Sequence, residues 1–191
     1  MLSSFTCEII ELEDTEAEAR LPELTSIVID AVEGGASVSF MMPFIHTEAL
    51  AYWHGIVPAV ASGRVLLAAL LDGQAVGTVQ LCLATPPNQP HRAEVAKLLV
   101  HRTARGHGIG RALMERLEDV ARRHSRMLLT LDTLTGGVAE QLIFSLGYVL
   151  AGIIPKYARL PSGSLKDTSI FYKQLHYDPI NIEPPQLERL S

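Results

Sequence analysis

Three glycines and three arginines fall within the ten residues Arg102-Thr-Ala-Arg105-Gly106-His107-Gly108-Ile109-Gly110-Arg111. Glycine tolerates positive φ and lets the backbone come close to a ligand. At the start of a helix, such a turn gathers unpaired N–H donors and partial positive charge, which suits a phosphate or pyrophosphate. The arginines add full charges of the same sign, so the chemistry on offer is anion binding. Two carboxylates stand out beside it. Glu94 interrupts the mostly apolar run Ala93 to Val100, where an acid needs a reason to be, and Asp132 follows the mostly apolar run Met127 to Leu131. Between apolar walls the Glu94 carboxyl is expected to hold its proton toward neutrality, as a general base requires. The plainer readings pair Glu94 with Arg92 or Lys97, and make Asp132 a cap for the turn at Gly136-Gly137.

Other chemistries find less support. His101 and His107 flank the turn, no HxH or HxxxH spacing occurs, and no metal site is expected. No G-x-S-x-G elbow marks a serine nucleophile. A dinucleotide-binding turn is the sharper rival, because Gly106-x-Gly108-x-x-Arg111 nearly completes G-x-G-x-x-G and Asp132 follows the next strand. Arg111 is a poor third glycine, and too little chain remains to complete a doubly wound sheet.

The elements that must position these residues follow from periodicity and breakers. Phe5 to Glu13 reads as a strand. A helical pattern runs from Thr15 through Ala31, with Pro22 able to split it, and Gly34-Gly35 ends it. Ala36 to Phe44 reads as a structured apolar loop. A second helix spans Thr47 to about Ala61, with Thr47 as its cap. Val65–Leu71 and Ala75–Ala84 form a hairpin turned by Asp72-Gly73. The strand Ala93–Val100 feeds the glycine turn, and the next helix carries Ile109, Leu113, Leu117, Val120 and Ala121 on one stripe. Then come the strand Met127–Leu131, a short helix closed by Gly147, and strands at Tyr148–Ile154 and Thr168–Leu175 around a loop from Pro155 to Asp167. Cys7 and Cys82 sit among apolar neighbours and are expected to be buried core thiols. Tyr52-Trp53 is read as core, with a substrate wall as the second reading.

Arg105-x-x-Gly108-x-Gly110, together with this order of elements, resembles the GNAT N-acetyltransferases from Phe5 to Leu175. That resemblance implies an α/β fold with a mixed, mostly antiparallel sheet of about seven strands and about four helices. It implies acetyl-CoA as cosubstrate, held by Arg105, Gly106, His107, Gly108, Ile109, Gly110 and Arg111. Backbone N–H groups of Leu98, Leu99 and Val100 would then polarise the thioester carbonyl, in a gap where this strand leaves its neighbour. Glu94 matches the family's general-base position, with Asp132 sharing that role or holding the substrate ammonium. Many family members carry a tyrosine as general acid where this chain has Ile143, which cannot give a proton. The runs Gly34 to Met41, Arg92 to Leu98 and Leu131-Asp-Thr resemble the tabtoxin-resistance branch. This points to a small, amino-acid-like amine as acceptor, with Ser37, Phe40 and Asp132 binding it. A weakly catalytic acyl-CoA sensor and a protein lysine or N-terminal acetyltransferase are the alternatives.

Bulk properties agree with one domain over 1–175 and a C-terminal arm over 176–191. The chain has 191 residues, 48% of them hydrophobic, and a net charge of −5, which disfavours a nucleic-acid partner. Its longest apolar run, Val65 to Leu71, is far below the ~18 residues of a membrane span, so no membrane partner is expected. The N-terminus does not read as a signal peptide, and a cytoplasmic address follows by default. A homodimer is left open.

Overall fold

The computed structural model describes residues 7–176, so the first residues of the expected opening strand and most of the expected C-terminal arm lie outside it. A seven-stranded sheet runs through the molecule: β1 (Cys7–Glu11), β2 (Arg64–Leu71), β3 (Gln74–Cys82), β4 (Arg92–Val100), β5 (Leu128–Leu134), β6 (Val149–Arg159) and β7 (Leu165–Gln174). Their order across the sheet is β1-β2-β3-β4-β5-β7-β6. Only β4 and β5 run parallel; the other neighbours are antiparallel. Asp72 and Gly73 both have positive φ, the conformation that lets a two-residue turn follow the twist of β2 and β3.

Five α-helices cover the sheet: α1 (Asp14–Ala19), α2 (Leu21–Glu33), α3 (His46–Val60), α4 (Ile109–Arg123) and α5 (Val138–Ser145). The expected first helix is two, separated at Arg20. Pro22 lies in the first turn of α2, where its missing N–H costs nothing. The α3 N-cap is Ile45 rather than Thr47, and the Glu48 carboxylate accepts the Ile45 N–H at 3.2 Å. The expected loop from Pro155 to Asp167 is mostly strand. Here β6 and β7 continue as a hairpin whose tip is closed by Leu160 N–H donating to the Ser164 carbonyl at 2.9 Å. The register shift between Ile154 and Ala158 masks the two-residue period that would have marked it.

Two cores sit on opposite faces. On one, Leu113, Met114, Leu117 and Val120 of α4 pack on Val79, Leu81, Ala93, Val95, Leu129 and Phe171 of the sheet. On the other, Leu24, Ile27 and Val28 of α2 and Trp53 of α3 pack on Leu66, Ala68 and Leu99. Sheet residues divide between the two cores by parity along the strand, except where the register shifts in the β2–β3 and β3–β4 pairings change it. The cysteines belong to neither core. Cys7 is exposed at the start of an edge strand, and Cys82 is half-buried at the end of β3.

Candidate active site

Strands β4 and β5 pair at only three positions, Arg92 with Leu128, Ala93 with Leu129 and Glu94 with Thr130. Beyond Glu94, β4 stays with β3 and β5 stays with β7, so the sheet opens into a cleft. A bulge sits at the same place. Ala96 pairs with Gln80 and Leu99 with Thr78, leaving Lys97 and Leu98 opposite Val79, and Lys97 takes φ +53°. The bulge shifts the parity of the strand. Val95 and Leu98, three residues apart, both pack toward α4, while Lys97 and Leu99 turn to the α2–α3 face. Side chains of Leu98, Leu99 and Val100 are core or half-buried, so their N–H groups are what this strand can offer a ligand.

At the far end of β4 the chain makes a short 3-10 turn (Arg102–Ala104) and then the glycine turn. Gly106 and Gly108 have φ of +82° and +77°, and Gly108 is the N-cap of α4 without any side-chain cap. Ala112 N–H is the donor to the Gly108 carbonyl, so the N–H groups of Ile109, Gly110 and Arg111 lie ahead of the helix's own bonding. Gly110 has another duty. A Cβ there would stand 3.1 Å from Leu142 Cδ2, so this glycine lets α4 and α5 touch. Ile109 buries its side chain in the α4 core, and the His107 Nδ1 lies 3.4 Å from the Ala104 carbonyl.

The arginines are tied into the protein. Arg105 donates its Nε to the Val100 carbonyl at 2.9 Å and lies 3.5 Å from Asp30, while the Arg102 guanidinium binds Asp30 directly. Arg111 donates to Ser145 Oγ at 2.8 Å. Their role in the turn is thus to hold its shape as well as to add charge. Further along α4, Arg122 and Arg123 pair with Asp119 and Glu11.

The α2–α3 side of the cleft carries the polar chemistry. Arg64, Cys82, Glu94 and Thr130 form one row across β2, β3, β4 and β5, and Asp132 lies two residues further along β5 on the same side. Glu94 and Asp132 are both exposed, so the apolar walls expected around Glu94 are absent. Arg92 is engaged with Gln89 and Thr130 rather than with Glu94. The sequence offered Lys97 only as a partner for Glu94, whereas its Nζ meets Ser39 Oγ of the loop 36–44 at 3.3 Å. Burial pushes its ammonium below the ordinary lysine value, the Asp132 carboxylate opposes that shift, and Arg64 adds to it.

Above this row lies the loop 36–44. Phe40 stacks on Phe44 at 4.5 Å and meets Tyr52 edge-on at 5.1 Å. Ser37 is half-buried, and Ser39 is the loop hydroxyl that meets Lys97, at 3.3 Å. Tyr52 reaches the cleft wall, where it accepts from Gln80 Nε2 at 2.9 Å, whereas Trp53 is fully buried core. A groove of about 330 Å³ runs along Ser39 to Phe44 and Glu48. The hairpin tip reaches the same loop, with Met42 N–H donating to the Pro161 carbonyl at 3.1 Å.

The acetyltransferase (GNAT) family model matches residues 13–148, from the end of β1 through the cleft to the start of β6. The chain belongs to the GNAT family of N-acetyltransferases. An N-acetyltransferase from the hisH-hisA intergenic region of Azospirillum brasilense is 31% identical over 125 residues, 64% of this chain and 73% of that protein. The fold is also that of an N-acetyltransferase from Staphylococcus aureus Mu50, with a TM-score of 0.75 at 18% identity, covering 90% of this chain and 99% of the other. A Salmonella typhimurium acetyltransferase solved with its cofactor acetyl-CoA has a TM-score of 0.72 at 21% identity, covering 95% and 99%.

Within this GNAT frame, Ile143 is buried in the α4 core and offers no proton. Tyr148 is no substitute. It is buried beside Glu118, and burial followed by that carboxylate's charge pushes its phenol well above the ordinary value. Among the described residues, no group of three His, Cys, Asp or Glu side chains is placed to hold a metal ion, and no helix is long and apolar enough to cross a membrane.

Proposed function

We propose that this GNAT N-acetyltransferase transfers the acetyl group of acetyl-CoA directly to a compact primary amine, an amino-acid-like metabolite or toxin. One observation carries the reading. The uncapped α4 N-terminus and the acids Glu94 and Asp132 flank the same opening between β4 and β5. The N–H groups between Gly106 and Arg111 fit a pyrophosphate in charge and in backbone freedom, and the opening beyond Glu94 fits an extended arm. Acetyl-CoA, when bound, supplies an activated acyl group and a thiolate leaving group.

The chain's own residues account for the rest. N–H groups along the bulged stretch Leu98–Val100 would polarise the carbonyl, an effect on the order of 3 kcal/mol for a preorganised donor in a dry cleft. Glu94 or Asp132 would take the proton from the acceptor ammonium, directly or through water. With Ile143 at the family's tyrosine position, departure of the thiolate draws no proton from that residue. The likeness of the loop 34–41 and of Leu131-Asp-Thr to the tabtoxin-resistance branch supports a small amino-acid-like acceptor. The packed Phe40–Phe44–Tyr52 wall also favours a compact amine over a peptide.

The decisive experiment follows free thiol release from acetyl-CoA with a panel of amino acids, polyamines, aminoglycosides and lysine peptides. Release with small amines supports the reading. Tight acetyl-CoA binding without release would make the protein a sensor, and turnover of peptide lysine alone would make it a protein acetyltransferase.

A further inference from the structure

The charges facing the acceptor cleft alternate in sign. Glu94 and Asp132 supply two carboxylates, while Lys97 and Arg64 supply two cations on the same side of the sheet. Arg64 is engaged with Gln80. Lys97 is different. The bulge rotates it out of strand parity, and its Nζ has Ser39 Oγ at 3.3 Å and the Phe40 ring centroid at 5.9 Å. Among the described residues, no ion pair within 4.0 Å joins Lys97 to Glu94 or Asp132, although both acids act on it electrostatically. A half-buried ammonium kept off its nearest carboxylates has unspent capacity for an anion.

We propose that Lys97, with the Ser39 hydroxyl, is the specificity-determining anchor for an anionic group on the acceptor, so that the acceptor is a zwitterion whose amine faces Glu94 and Asp132. The inference rests on the small-amine reading above and narrows it. An amine carrying a carboxylate a few bonds away satisfies both poles of the cleft, with its stem over Phe40. A diamine or polyamine brings a second positive charge against Lys97 and Arg64, and like charges in a partly desolvated cleft act against the wrong partner. The acids alone would have favoured polycations. Lys97 reverses that preference.

The test compares α-amino acids with their decarboxylated amines at equal concentrations of free base, following thiol release from acetyl-CoA. The wild-type protein is expected to favour the carboxylate-bearing member by at least about tenfold in kcat/KM, the scale of one charge-assisted contact. Lys97→Met should bring the ratio close to one, and Lys97→Arg should restore most of it. No preference in the wild-type protein overturns the inference while the small-amine reading stands; so does a preference that survives Lys97→Met. Turnover of peptide lysine and of no small amine removes both. The wild-type comparison needs no variant, so a poorly folding Lys97→Met leaves the inference open to refutation.

Discussion

Asp30 of α2 accepts the backbone N–H of Arg102 at 3.0 Å and binds the same residue's guanidinium, so one buried carboxylate grips both ends of it. Arg105 approaches Oδ2, the oxygen that accepts the Arg102 N–H, at 3.5 Å, and His101 Nε2 lies 3.6 Å from Oδ1. The turn expected to hold phosphate is thereby fastened to the helix that leads into the loop 36–44. Replacing Asp30 with Asn keeps the shape and removes the charge that gathers the arginines. CoA affinity should fall by about tenfold and stability by about 1–3 kcal/mol, the range for losing a charged hydrogen bond. Calorimetric titration and thermal unfolding check the two separately, and an unchanged CoA affinity would relegate Asp30 to scaffolding.

Gly108 and Gly110 should respond differently to alanine. At Gly108, with φ +77°, a side chain costs about 1–2 kcal/mol of backbone strain and covers the N–H groups of the turn. Its nearest space is open, so Gly108→Ala should fold and lose CoA binding in a titration. Gly110→Ala should weaken the contact between α4 and α5 through Leu142, seen as a lower Tm with CoA binding largely retained.

Glu94→Gln should reduce kcat/KM by 10²–10⁴-fold, as expected on removing a general base, with acetyl-CoA affinity preserved. If the pH–rate profile of that variant keeps the wild-type shape, the proton goes to Asp132 or to solvent, and Asp132→Asn becomes the informative change.

The preference for carboxylate-bearing acceptors should decline as pH rises. Burial lowers the Lys97 pKa below the 10.5 of an ordinary lysine, so the ammonium loses its proton earlier than a surface lysine would. Below the lowered value the anchor is charged and the preference complete; above it the preference fades. Over that interval the unfolded chain holds more protons than the folded one, so folding stability rises with pH. Acceptor-pair kinetics from pH 7 to 10, at equal free base, would expose the decline.

Ile143→Tyr should not restore a general acid. Ile143 is 2% exposed and surrounded by the α4 core, so the larger ring overpacks the site at about 1–3 kcal/mol. We expect a lower Tm and no increase in kcat.

Much of the frame was legible because local signals agreed. The alternation of β2 and β3 around Asp72-Gly73 and the apolar stripe of α4 after three glycines both appear where the pattern puts them. The cleft was less so. Where β4 leaves β5 is set by pairing with strands distant in sequence, and the bulge at Lys97 changes side-chain parity without any Gly or Pro to mark it. Asp30 was invisible for a related reason: its partners Arg102 and Arg105 lie more than 70 residues away along the chain. Ile143, by contrast, could be read directly, because an absent hydroxyl is a property of the residue itself.

The three paired positions between β4 and β5 have a mechanical meaning. They form a seam: on one side stand β1 to β4, on the other β5 to β7, and past Glu94 the backbone edges face each other across a gap without bonding. A ligand that bonds to both lips of that gap works as a staple between half-sheets. Its binding energy then adds to the protein's cohesion where the sheet's own ladder stops, so occupancy and resistance to unfolding should rise together.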